Sequence, residues 1–379
     1  MNIPYVNLPL QNELILDELM QNIHRLLKSG QFILGDEVQN FEKSFAERVG
    51  TKYAIGLNNG TDAIFLTLMM YGIGHGDEVI TVPNSFLATT AAIELIGATP
   101  ILIDVDHDQN MNPKQLEEAI TDRTKAILPV HLTGKPAKMD KIMEIANKYN
   151  LLVIEDCAQA VGAHLNGRHV GTFGHAGTFS LHPLKNLGAC GDAGVVVTDN
   201  EELAEKLRKV RNHGLINRDE CEHWGYNSRL DAIQAAILNV KIKYLDNWTN
   251  RRREIAKRYC ESFKDLPLKL PVELENEICA YHAFVIQLEE RDQLRSYLAE
   301  KGIDTKIHYP IPIHKQKAAQ NTEYGKLIFP IAEQQAKQIL SLPVYPELTD
   351  IEVNRIIESI RQFFIKKQEG LKDEFYIQS

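Results

Sequence analysis

The residue types best placed for covalent chemistry meet in residues 177–194, GTFSLHPLKNLGACGDAG. A short apolar run at 178–181 leads into a turn at Pro183, and Lys185 follows at once. Gly188, Gly191 and Gly194 come next, before a second apolar run at 195–197. The pattern predicts strand, irregular loop, strand. Most lysines of this chain sit on charged helical faces, whereas Lys185 is held in a glycine-rich turn between buried-type strands. Desolvation there would lower its pKa and make it a nucleophilic amine. The plainer reading is a surface lysine on a loop, and this stretch alone leaves both open.

Two further constellations precede it. Asn58-Asn59-Gly60-Thr61-Asp62-Ala63 follows one predicted strand and opens a helix. Gly60 permits close backbone approach, Thr61 adds a hydroxyl, and the free amides and dipole of a helix start favour an anion such as phosphate. An ordinary N-cap is the simpler alternative. Glu155-Asp156 ends another predicted strand, the place where open α/β sheets bind ligands. A carboxylate there can pair with a protonated ring nitrogen, or cap the segment that follows. Gln159 can hydrogen-bond the same ligand, and Phe86, in the loop after the strand at 78–82, can lend an aromatic face or simply fill the core. No GxxxxGK[ST] P-loop is present, and the glycines at 72–76 end a helix, unlike a dinucleotide fingerprint.

These residues need a scaffold, and the apolar pattern supplies one. Strands are predicted at 53–57, 78–82, 100–103, 126–130 and 151–154. Helices are predicted at 61–70, 87–96, 113–120 and 138–149, after earlier ones at 14–27 and 37–48. Alternation of this kind means α/β, a sheet with mostly parallel strands covered on both faces. A charged helix is expected at 201–212, then a long stripe of Leu230, Ile233, Ile237, Val240, Tyr244 and Trp248 running towards Tyr259 as a connector. Beyond it, a strand at 280–288, a helix at 291–301, a Pro-rich segment at 306–314 and a helix at 351–364 suggest a smaller α+β C-terminal domain. The expected division is 1–245 and 246–379, with residues 366–379 loosely held.

Composition narrows the functional classes. The 379 residues are 44% hydrophobic and 25% charged, as in ordinary soluble globular proteins. A net charge of −9 argues against nucleic acid or a basic membrane-binding face. The five cysteines lack CxxC spacing, which disfavours a disulfide framework and a zinc site, so no metal is expected. No signal peptide and no run near the roughly 20 apolar residues of a membrane span are apparent, and a cytoplasmic location is the default.

A phosphate cradle, a strand-end carboxylate and a loop lysine together suit pyridoxal 5′-phosphate. Over nearly its whole length the chain resembles the DegT/DnrJ/EryC1/StrS sugar aminotransferases, fold-type-I enzymes with an aspartate-aminotransferase-like fold. The resemblance rests on GQFILGDEVQNFE, NNGTDAI, GDEVI, LIDVD, IEDCAQAVGA, FSLHPLKNLGACGDAG, GYNSRLDAIQAAIL and HYPIPIH. It implies Lys185 as the Schiff-base lysine and Asp156 as the pyridinium partner. Gln159 and Phe86 would flank the ring, and Gly60, Thr61 and Ser180 would hold the phosphate. Asn227 would reach the phosphate of the other subunit in a homodimer with shared sites. His308 and Tyr309 would line a sugar pocket.

Two positions depart from the family pattern. Val161 stands where many members carry histidine, a loss that His164 could replace, and His182 stands where an aromatic residue is usual. The implied reaction is ping-pong transamination from an amino acid, usually L-glutamate, through pyridoxamine 5′-phosphate to a nucleotide-linked 3- or 4-keto-sugar, in amino-sugar biosynthesis. A related dehydratase branch carries histidine in place of the lysine, so Lys185 argues for amino transfer. A non-catalytic regulator would need a DNA-binding or signalling extension for which the chain has little room.

Overall fold

The computed structural model describes residues 2–377, with side-chain surroundings as far as residue 367. Strands β1 (Tyr53–Leu57), β2 (Glu78–Thr81), β3 (Thr99–Leu102), β4 (Thr124–Ile127) and β5 (Leu152–Asp156) alternate with helical segments. A small hairpin, β6 (His164–Leu165) and β7 (Arg168–His169), precedes β8 (Ala176–Ser180) and β9 (Gly194–Thr198). The central sheet has seven strands in the order β1-β9-β8-β5-β4-β2-β3. Its neighbours pair in parallel except at β9, which is antiparallel to both β1 and β8. The carboxyl ends of β1, β2, β4, β5 and β8 therefore lie along one edge.

The helix Gly60–Met70 runs between sheet and helices with Ala63, Ile64, Leu66, Thr67 and Leu68 buried. Its apolar residues go nearly all round, as a helix sandwiched between layers requires. A second hydrophobic core gathers Ile255, Tyr259, Phe263, Leu294 and Ile356 beneath β11 (Phe284–Gln287) and β12 (Ile339–Leu342), while β10 (Glu277–Ile278) pairs with β6. Ile3 joins this core and bridges Ile303, so the start of the chain packs against its later third.

Several local expectations are corrected. The first stripe is two helices, Leu8–Glu13 and Leu16–Ser29, because Ile15 leaves helical geometry to bury its side chain. Leu14, Leu16 and Leu27 are consequently exposed. Residues 113–120 form two single 3₁₀ turns, with Asn112 capping Lys114 and Ile120 already extended. The long stripe begins only at Ala232, since Asp231 is extended, and it tightens for one 3₁₀ turn at Ile242–Tyr244 between Ala232–Lys241 and Leu245–Phe263. Ile233 of that stripe is exposed. The final helix, Asp350–Ile377, runs past its expected end at residue 364. The expected looseness of 366–379 falls, for residues 378–379 and for side chains beyond 367, outside the described residues. Among the described residues no helix is long and apolar enough to cross a membrane.

Candidate active site

A cavity of about 370 Å³ opens at the carboxyl edge of the sheet. Lys185 enters it from the loop between β8 and β9. That loop is closed at its neck by hydrogen bonds from Leu181 N to Ala193 O and from Ala189 N to Leu181 O, each 2.8 Å. Inside it the Lys185 amide donates to His182 O at 2.8 Å, and the Asn186 side chain ties the loop to Ala280 O at 2.9 Å. A Cβ at Gly188 would stand 2.4 Å from Pro183 O, so the fold admits only glycine there. Burial lowers the Lys185 pKa to about 8, against the opposing charge of Asp156.

Asp156, the last residue of β5, is 4% exposed and lines the same cavity. Thr89 Oγ1 donates to its Oδ2 at 2.7 Å, and the Ala158 amide donates to its Oδ1 at 3.1 Å. Burial raises its pKa; these two bonds and the charge of Lys185 oppose the rise. Its neighbour Glu155 points to the other face, as alternate strand residues must. There it accepts from His131 Nε2 at 2.9 Å and from the amides of Gly171, Phe173 and Gly174 at 2.7 Å. His131 Nδ1 accepts from the Ala137 amide, which leaves the proton on Nε2. Cys157 completes a buried trio within 4.8 Å, and burial raises its thiol pKa, so it stays protonated. The donor atoms of His131 and Glu155 are already spent on protein partners.

The helix Gly60–Met70 points its amino end at the cavity. Asn59 caps it by accepting from the Asp62 amide at 2.8 Å. Among the described residues the amides of Gly60 and Thr61 have no acceptor. A Cβ on Gly60 would approach the Ser180 Cβ to 2.7 Å, so glycine is what lets the helix start lie against the end of β8. Gly60, Thr61 and Ser180 all line the cavity.

The Phe86 and Tyr309 rings lie 5.7 Å apart on the cavity wall. Gln159 accepts from the Thr133 amide at 2.6 Å and donates to the Tyr309 hydroxyl at 3.0 Å. Burial raises the Tyr309 phenol to about 12 and lowers His308 to about 4. His308 is joined to Ser341 Oγ at 2.9 Å.

Nine of the ten site residues expected from sequence thus meet in one cavity: Lys185, Asp156, Gly60, Thr61, Phe86, Gln159, Ser180, His308 and Tyr309. Asn227 does not join them; it is exposed and bridged to Asn212. Nor does His164, which packs edge-on against His169 away from the cavity, while Val161 is buried in the core. His182, whose direction the sequence left open, lines the cavity. Sequence reasoning missed Thr89, Arg252 and His282. The first two are an ordinary helix threonine and one of three consecutive arginines, and His282 carries no motif. His282 approaches Asn186 Oδ1 at 3.3 Å, and burial together with the charges of Lys185 and Arg252 drives its pKa far down.

The arrangement fits a flat basic ring bearing a phosphate. Two free amides at a helix start suit the anion, a cradle that a Cβ would fill brings in Ser180, and a buried carboxylate able to pair with a ring nitrogen shares the cavity with a low-pKa amine.

Comparison with known proteins agrees with this chemistry. Residues 14–361 match the model of the DegT/DnrJ/EryC1/StrS aminotransferase family. The chain is 47% identical over 362 residues to a dTDP-3-amino-3,6-dideoxy-alpha-D-galactopyranose transaminase of Aneurinibacillus thermoaerophilus, covering 95% of this chain and 99% of the relative. It is 43% identical over 369 residues to a pleiotropic regulatory protein of Geobacillus stearothermophilus, with 96% and 99% covered. Among solved structures, S. venezuelae DesV in complex with a ketimine intermediate superposes with a TM-score of 0.93 at 41% identity, covering 96% of this chain and 98% of DesV.

Proposed function

The chain belongs to the DegT/DnrJ/EryC1/StrS aminotransferase family, pyridoxal-phosphate-dependent sugar aminotransferases, and from that premise we propose that it moves an amino group from L-glutamate to carbon 3 of a keto-sugar carried on a nucleoside diphosphate. The name of the 47% identical relative supports the nucleotide-linked sugar and the position of the amine. The observation that carries the reading is Lys185, with a pKa of about 8, in one cavity with Asp156 and a free helix start.

Pyridoxal 5′-phosphate, when bound, supplies the electron sink that makes the C–H bond beside an amine breakable. The protein's residues do the rest. Lys185 Nζ would anchor the cofactor and, as a free amine, would take a proton from the donor's α-carbon. A pKa near working pH suits an amine that must both accept and return that proton. Asp156 keeps the ring nitrogen protonated, its carboxylate oriented by Thr89 and Ala158. Gly60, Thr61 and Ser180 would hold the phosphate, and Phe86 and Gln159 would flank the ring. His308 and Tyr309, which line the cavity, would face the sugar. In a homodimer, Asn227 would complete the phosphate site of the other subunit.

The name of the 43% identical relative raises a second reading, a regulator that binds the cofactor without turning it over. Lys185 in the cavity favours catalysis, and separates the chain from dehydratases that carry histidine there. One experiment decides. The purified protein, loaded with cofactor, should lose its long-wavelength absorbance on adding L-glutamate, and mass spectrometry should then find amine on an added nucleotide-linked 3-keto-sugar. A protein whose spectrum ignores glutamate and glutamine alike, or a Lys185→Ala variant as fast as wild type, would sink the proposal.

A further inference from the structure

Among the described residues three arginines are buried, and two are ion-paired: Arg211 with Glu42 and Arg291 with Asp292. The third, Arg252, is 6% exposed and lines the cavity that holds Lys185 and Asp156. Its Nη1 donates to the carbonyls of Val344 and Tyr281. Its Nε is buried without a partner, and among the described residues its Nη2 has no acceptor either. The carboxylate that most influences its charge, Glu347, lies outside the cavity lining and accepts instead from Gln11 at 2.9 Å. Burial lowers the Arg252 pKa to about 10, still charged at neutral pH. A buried guanidinium with one edge fixed and the other vacant is costly unless an anion completes it.

We propose that the free edge of Arg252 receives the α-carboxylate of the amino-acid donor. This deepens the aminotransferase reading and rests on it. Main-chain carbonyls hold Nη1, which leaves Nε and Nη2 as a pre-oriented fork of the kind that binds a carboxylate at two points. The α-carboxylate is attached to the carbon that carries the reacting amine, so its receptor must share the cavity of Lys185. The diphosphate of a sugar nucleotide lies several bonds further from the reacting carbon, towards solvent. Any α-amino acid would engage Arg252 in the same way, so the fork selects the donor class and leaves the choice of side chain to other residues.

The test uses the cofactor-loaded enzyme, with the two half-reactions followed separately. In Arg252→Gln, the L-glutamate concentration giving half the spectral change should rise about 10- to 100-fold, the effect of losing a charged hydrogen-bonded partner. Single-turnover amination of the nucleotide-linked keto-sugar by the pyridoxamine form should stay within about twofold, since no ligand of that step uses the fork. Arg252→Lys should recover part of the donor binding. In thermal melts, 2-oxoglutarate should protect the wild type in its pyridoxamine form and not Arg252→Gln. Equal loss in both half-reactions would make Arg252 a structural brace, and loss confined to the sugar step would make it a diphosphate site; either overturns the proposal. If the glutamine variant fails to fold, the wild type still decides, because it should strongly prefer L-glutamate to 4-aminobutyrate, which lacks the α-carboxylate. A wild type inert to every amino acid would overturn the aminotransferase reading itself.

Discussion

The Thr89 hydroxyl donates to Asp156 Oδ2 at 2.7 Å, joining a helix residue to the end of β5 across 67 positions of chain. A hydrogen bond to the charged form favours that form, whereas burial pushes the Asp156 carboxyl towards neutrality. Thr89→Val removes the bond and should raise the Asp156 pKa further. Cofactor affinity depends on an ionised Asp156, so it should fall about tenfold or more, most at mildly acidic pH and least at alkaline pH. Titrating the cofactor-free protein across that range checks this; a loss independent of pH would assign Thr89 to packing alone.

Lys185 has a pKa of about 8 in the fold against 10.5 for an unperturbed lysine. Folding therefore disfavours its charged form, and that cost is fully present below about pH 8 and gone above about 10.5. Cofactor-free protein should gain stability as pH rises through this window, by at most about 3 kcal/mol. Lys185→Met should remove that part of the pH dependence and, by deleting the amine, abolish turnover. Denaturant melts at several pH values give the first result, and the glutamate-induced spectral change gives the second.

Gly60→Ala places a methyl 2.7 Å from the Ser180 Cβ and 3.0 Å from its Cα. Backbone on one side and a fixed strand end on the other leave little room to yield. The substitution should cost about 1–3 kcal/mol and weaken cofactor binding by shifting the amides of the helix start. Melting and cofactor titration measure the two effects; undiminished affinity would mean the phosphate is held elsewhere.

Glu155 has no place in the cavity, yet its removal should be felt strongly. Glu155→Ala strands the amides of Gly171, Phe173 and Gly174 and the ring of His131. Each buried donor without a partner costs about 1–3 kcal/mol, so the variant should be destabilised by several kcal/mol or fail to accumulate. Asp156→Asn, by contrast, should melt near the wild-type temperature while losing on the order of 100-fold or more in turnover. The contrast between neighbouring carboxylates is the measurement; similar behaviour in both would contradict the assignment of their faces.

The chemistry itself was legible in the residues. A glycine-rich loop around Lys185, a helix opening at Gly60 and a carboxylate ending a strand are local patterns, set by turn chemistry and short apolar runs. Their meeting was legible too, because residues that follow parallel strands share one sheet edge, here the edge of β1, β5 and β8. Tertiary structure alone decided the rest. It gave Glu155 its place, because the strand pleat sends it to the face opposite Asp156, where His131 and the amides of Gly171, Phe173 and Gly174 meet it. It brought in Thr89, His282 and Arg252 through contacts between distant segments, which leave no spacing to read. It also left the fork of Arg252 open, for pairing depends on where each buried charge finds its counterpart once the chain has folded.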